Sequence, residues 1–193
     1  GGTIECSGDL SCVHDQMLGG TGTIKLTGTD NDNTYTWSAG IFPHLEVAYG
    51  VGGEMSSSGS TTLAVATLTM TSGTFTAPTG EFLLSANHYY GGTFMTVTGG
   101  TFIPTATGTV KLVQTTSDWN NSRTNTWTIN SAIAFNNLTI ASGNLASHRW
   151  TTLDLTGSIN PTVEGSLVID TTGLYNLVMN GGLLAVGGDI SCQ

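Results

Sequence analysis

The residues with the most chemistry to offer are three cysteines, Cys6, Cys12 and Cys192. An odd number allows at most one intrachain bridge and leaves one thiol over. Three arrangements fit. All three can be buried as small apolar side chains. Cys6 can bridge Cys12, since six residues of unbroken strand would put both on one face, leaving Cys192 spare. Or, in an oxidising compartment, Cys192 of one copy can bridge Cys6 or Cys12 of the next. No CxxC occurs, so a zinc or thioredoxin-type site has no support. His14, His44, His88 and His148 form neither HxH nor HExxH and read as loop or surface side chains. His14-Asp15 lies near Cys12 in sequence, but a nucleophile and its base meet in space, not by adjacency.

The carboxylates Glu46, Glu54, Glu81, Asp118, Asp154, Glu164 and Asp170 stand singly. Glycoside hydrolysis needs two of them facing one bond. There is no G-x-S-x-G elbow and no P-loop. Not an enzyme, with no catalytic residue and no cofactor, is the expectation; a polysaccharide-active β-helix enzyme is the alternative. Asp30-Asn-Asp-Asn33 is the nearest approach to a calcium loop, with Asp30 and Asp32 as candidate ligands. It lacks the EF-hand glycine and distal glutamate, and reads first as a turn in which side chains bond their own backbone. Trp119 and Trp127 fall in the longest polar interval, QTTSDWNNSRTNTW. They are candidate glycan contacts, against a packing role for these and for Trp37 and Trp150. Asn120-Asn-Ser122 and Asn137-Leu-Thr139 fit the glycosylation sequon.

The elements that must hold these residues are β-strands. From Gly73 to Leu112 the chain is a string of short apolar–threonine segments, each cut by glycine after about eight residues. Phe75, Phe82, Leu84, Phe94, Val97, Phe102, Val110 and Leu112 punctuate it, with no helical spacing long enough for three turns. The same pattern pervades the chain, which has 27 glycines, about one threonine in six residues and 9% charged residues. Threonine suits a half-buried pleated surface, and low charge argues against disorder. Four basic residues against thirteen acids, a net charge of −9, leave no basic stripe for nucleic acid or an anionic membrane surface. No apolar run approaches a membrane span, so neither nucleic acid nor membrane insertion is expected.

In order, Gly1–Cys12 gives two short strands about Ser7-Gly8-Asp9, and residues 13–20 read as a loop. Thr21–Thr29 alternates; residues 34–50 hold two strands with a break at Pro43. Gly50–Ser60 reads as the most mobile connection. TTLAVATLTM (61–70) is a strand, and after the polar interval IAFNNLTI, TLDLTGSI, SLVIDTTGLYNLVM and GGLLAVGGDISC continue the pattern.

Internal repetition organises the whole. Gly22–Leu26 returns as Gly108–Leu112, Phe42-Pro-His-Leu45 as Phe135-Asn-Asn-Leu138, and Thr71-Ser-Gly73 as Thr171-Thr-Gly173. Gly1–Cys12 aligns without gaps to Gly181–Cys192, with Gly1, Gly2, Gly8, Asp9, Ser11 and Cys12 matched identically. The expected layout is 1–72 plus 73–107 as a first repeat and junction, and 108–193 as a second repeat ending in the phase of residue 1, with one continuous domain as the alternative. Spacing of 86 to 100 residues exceeds one solenoid coil, so each repeat is several coils, or one small sandwich.

FNNLTI at 135–140, GTFTAPTG at 73–80 and GGLLAVGGDIS at 181–191 resemble the repeats of large secreted bacterial surface proteins of the adhesin-like type. That resemblance implies a β-solenoid and an extracellular or cell-surface location; the three cysteines depart from its cysteine-poor habit. The chain has no initiator Met and begins Gly-Gly, which suggests a processed product or a piece of something longer.

The expected fold is therefore all-β, a β-solenoid of two related repeats, with two stacked β-sandwich domains as the alternative. The expected function is a structural subunit associating end to end in a filament, sheath or adhesin-like fibre. A surface module binding glycans through Trp119 and Trp127 is the second reading.

Overall fold

A computed structural model describes residues 1–12, 21–85, 92–114, 125–130, 132–142, 150–155, 160–170 and 176–193. Every regular element among them is a β-strand, with no helix long and apolar enough to cross a membrane. The chain winds as a β-solenoid of parallel strands. Parallel ladders exclude stacked sandwiches, which are built from antiparallel sheets.

The first four coils carry two strands each: β1 (Thr3–Cys6) and β2 (Leu10–Cys12), β3 (Thr23–Leu26) and β4 (Asn33–Trp37), β5 (Phe42–Ala48) and β6 (Glu54–Ser57), β7 (Thr62–Ser72) and β8 (Thr74–Thr76). Later coils carry three: β9 (Glu81–Leu84), β10 (Gly92–Val97) and β11 (Thr101–Ile103); β12 (Thr109–Gln114), β13 (Asn125–Asn130) and β14 (Ala134–Phe135). Then come β15 (Asn137–Ser142), β16 (Trp150–Asp154) and β17 (Thr162–Val163), and β18 (Leu167–Asp170), β19 (Asn176–Asn180) and β20 (Ala185–Val186), before β21 (Ile190–Cys192).

The change from two sides to three happens inside β7, which is 11 residues long and forks. Leu63 and Val65 are in register with Phe82 and Leu84 of β9, while Leu68 and Met70 are in register with Met95 and Val97 of β10. A first ladder thus runs β1-β3-β5-β7-β10-β13-β16-β19. A second runs β2-β4-β6-β8-β11 and is carried on by β14-β17-β20, Phe135 meeting Phe102 with ring centroids 6.5 Å apart. The third starts at the fork and runs β9-β12-β15-β18-β21. Register gives the cause. Thr3 is level with Thr23 and Thr23 with His44, about twenty residues per coil. Glu81 is level with Thr109 and Thr109 with Asn137, twenty-eight per coil, enough for a third side. Sequence echoes 86 to 100 residues apart therefore span several coils.

Alternation puts one residue in two inside, and identical registers stack these into columns. Leu63, Phe82, Val110, Leu138 and Leu167 form one buried column; Val65, Leu84, Leu112 and Ile140 form another. Burying each such side chain is worth about 1.5–3 kcal/mol. Facing them, Tyr35 and Phe102 stack on Phe75 at 5.7 and 6.2 Å, and Phe82 closes on Phe75 at 5.6 Å. The FNNL motif joins coils at a corner: Phe135 is buried, Asn136 Nδ2 donates to the Ala106 carbonyl at 2.8 Å, and Asn137 Oδ1 accepts the Ser166 N–H at 2.9 Å.

Several expectations need correction. Pro43 lies within β5, where Phe42 aligns with Val65 and His44 with Thr67 and the register passes over Pro43, so its missing N–H interrupts nothing. Gly50–Ser60 is no loose connection: it contains β6, held in the second ladder with Met55 fully buried. Trp127 belongs to β13, level with Gly92 and Leu153, so the polar interval returns to the ladder earlier than its composition suggests. The proposed loop at 13–20 lies outside the described residues.

Candidate functional site at the ends of the solenoid

A strand ladder that stops leaves a row of unpaired N–H and C=O groups, and a solenoid that stops also leaves its core columns open. Among the described residues β1 and β21 are the outermost strands of their ladders. At the lower end Ile4, first of the column Ile4-Ile24-Leu45-Leu68-Met95, is 69% exposed. At the upper end Ile190, last above Leu167, is 63% exposed and Leu183 59%. Elsewhere in these columns the same side chains are buried.

The ends also match in winding. In the three-sided part the chain passes from third ladder to first to second and back to third. It stops on the third, at β21, and starts on the first, at β1.

Side chains tie the lowest coil to the one above. Asp9 Oδ1 accepts the Thr34 N–H at 2.8 Å and the Thr34 hydroxyl at 3.1 Å. The Cys12 thiol donates to the Ala39 carbonyl at 3.2 Å, and the Cys12 carbonyl accepts the Ser38 N–H at 3.0 Å. Both tethers point up the solenoid axis.

All three cysteines carry thiols: Cys6 half-buried, Cys12 buried and Cys192 exposed. Cys6 and Cys12 do not share a face, because the corner at Ser7-Gly8-Asp9 turns the chain from the first ladder to the second. Cys192 ends β21 on the third ladder, so the three thiols stand on three different ladders.

Tyr49 was not singled out by its sequence. It fills the corner below Gly53 and Gly73, where an added Cβ would lie 2.7 and 2.5 Å from the Tyr49 Cβ. Its ring is fully buried and its hydroxyl has no hydrogen-bond partner among the described residues. Burial first, then the nearby Cys6 and Asp9, raises its phenol well above the usual range. No pattern of residue types announces such a group; only the stacked glycines at 50, 52, 53 and 73 hint at a crowded corner.

Among the described residues the other candidates do not converge. The Asp30 carbonyl accepts from Asn33 Nδ2 and from the Glu54 N–H, each at 3.0 Å, as a turn does. No three His, Cys, Asp or Glu side chains are grouped to hold a metal among the described residues. His44 Nδ1 lies 2.5 Å from Thr67 Oγ1. Lys25 pairs with Glu46 at 3.1 Å and Lys111 with Glu81 at 3.5 Å, partly exposed ties between coils that contribute little. Trp119, His14, His88 and His148 lie outside the described residues.

No protein-family model matches the chain, and neither does any curated protein or solved structure.

Proposed function

We propose that this protein is an extracellular structural subunit that associates end to end, each copy continuing the coil of the one below it. What supports the proposal is the recurrence of Gly1–Cys12 as Gly181–Cys192, bend and strand included, on one continuous solenoid of parallel ladders. Open ladder edges and apolar columns are stabilised when paired. A head-to-tail contact that does not close on itself propagates as a filament. The low charge and threonine-rich surface suit a protein whose task is to persist in place.

Sedimentation velocity over a concentration series, with electron microscopy of the same samples, tests this. The expected result is concentration-dependent filaments with an axial repeat on the order of 40 Å, the eight strand levels of the first ladder at the usual ladder spacing. A particle that stays monomeric at all concentrations, or stops at a closed dimer, overturns it.

A further inference from the structure

We propose that a notch at the corner between the first and second ladders takes one protonated amino-sugar unit of a polysaccharide. The notch lies in the middle coils and owes nothing to the end-to-end reading above. Its origin is a difference in corner length. Five residues, 49–53, join β5 to β6; Gly73 alone joins β7 to β8; three, 98–100, join β10 to β11. The corner is therefore recessed at Gly73, between a shelf below and a brow above.

The recess is built from main chain. The Thr74 N–H donates to the Gly53 carbonyl at 3.0 Å and the Thr101 N–H to the Gly73 carbonyl at 2.8 Å, which stacks the three corners one above another. The shelf is fixed in turn, the Gly53 N–H donating to the Gly50 carbonyl at 3.0 Å and the Gly50 N–H to the Gly28 carbonyl at 2.6 Å. Glycines at 73 and 100 leave the floor without side chains, so the groove keeps a volume of 360 Å³, at the small end of the range for ligand sites. Ser72 and Thr74 bring hydroxyls to its wall, and Val51, at the lip of the shelf, is wholly exposed.

Charge names the occupant. Glu54 follows the shelf and is level with Thr74 in the wall. The Asp30 carbonyl accepts the Glu54 N–H at 3.0 Å, which puts Asp30 one coil beneath, and both Asp30 and Asp32 are exposed. The described lysines are engaged elsewhere, Lys25 with Glu46 and Lys111 with Glu81. Among the described residues no cation pairs with Glu54, Asp30 or Asp32, so the complementary partner is cationic. A recess about one to two coils tall, on the order of 5–10 Å, admits a ring lying flat. The apolar face of a hexosamine ring meets the glycine floor and Val51, its hydroxyls meet Ser72 and Thr74, and its ammonium meets Glu54. A lysine side chain would use the carboxylates and leave the hydroxyls idle.

The test is calorimetric titration of the intact protein, in mildly acidic buffer of low ionic strength, with a glucosamine hexamer, an N-acetylglucosamine hexamer and a lysine hexapeptide. The glucosamine hexamer is expected to bind and the acetylated one not, since acetylation keeps the ring and removes the charge. Glu54→Gln is expected to weaken binding about tenfold, as loss of a hydrogen bond to a charged group does, and Thr74→Val severalfold, both with unchanged thermal melts. Glu164→Gln, which changes an exposed acid at a different corner, leaves binding as it was. No binding of the glucosamine hexamer, equal binding of the acetylated one, or equal losses in Glu54→Gln and Glu164→Gln overturns the proposal. A lysine peptide that binds as tightly as the sugar, with Thr74→Val without effect, gives the notch to a protein side chain and also overturns it. None of these outcomes bears on end-to-end association, which stands or falls by sedimentation.

Discussion

Phe102 lies one coil above Phe75 in exact register, Phe75↔Phe102, with ring centroids 6.2 Å apart and planes 21° from parallel. Phe75 also touches Tyr35 below and Phe82 across the coil. It is the point where the two-sided and three-sided parts of the solenoid share their core.

Phe75→Ala should therefore be among the most damaging single changes. Removing a fully buried ring with three aromatic neighbours is expected to cost about 3–5 kcal/mol. Urea unfolding followed by tryptophan fluorescence measures it, and a loss under about 1 kcal/mol would mean the stack does not carry the junction.

Tyr49→Phe should act in the opposite direction. The Tyr49 hydroxyl is buried without a partner among the described residues, so deleting it removes a desolvation cost and should raise stability by about 1 kcal/mol. Destabilisation in the same assay would show that the hydroxyl has found a partner.

Burial, partly offset at Tyr35 by a hydrogen bond with Ser57, holds both the Tyr35 and Tyr49 phenols above the ordinary value of 10.0. Their unfolded forms lose protons first, so the stability they contribute is complete below about pH 10 and falls as pH rises above it. Phenolate absorbance should show the two rings ionising only with loss of the β-sheet circular dichroism signal. Full ionisation of all five tyrosines in the folded protein would contradict their burial.

Gly73 has a φ of 81°, and an added Cβ would lie 2.5 Å from the Tyr49 Cβ and 3.0 Å from the Gly53 carbonyl oxygen. Gly73→Ala is expected to cost about 1–3 kcal/mol from backbone strain alone. Gly8, where an added Cβ meets nothing, is the control, and Gly8→Ala should leave the melting temperature nearly unchanged. Equal effects at the two sites would refute the crowding at the Tyr49 corner.

Asn137→Asp tests the corner tie made by the FNNL motif. It keeps the acceptor for the Ser166 N–H but loses the amide donor toward the Gly108 carbonyl, which lies at a long 3.5 Å. Asn137→Ala loses both and should cost about 1–2 kcal/mol more than Asn137→Asp. The order of their urea midpoints decides between acceptor and donor.

The sequence by itself determined the kind of ladder. Short threonine-rich runs with alternating apolar residues, as in Thr23–Leu26 and Glu81–Leu84, can bury only one face at strand period, and glycine between them lets the chain turn at once. The all-β solenoid and many of its inward residues follow from that local pattern. What only the tertiary structure decided is everything that depends on which coil lies above which. The fork in β7, the pairing of Asp9 with Thr34, the placing of Cys6, Cys12 and Cys192 on three different ladders, and the orphaned hydroxyl of Tyr49 all arise from coil length and register. Parallel strands in neighbouring coils are separated by 19 to 35 residues, and a few residues more or less in a corner reassign every contact beyond it. Gly1–Cys12 and Gly181–Cys192 show both halves of the lesson: their identical residues fold into the same strand–corner–strand unit, yet the unit is set at a different corner of the coil at each end.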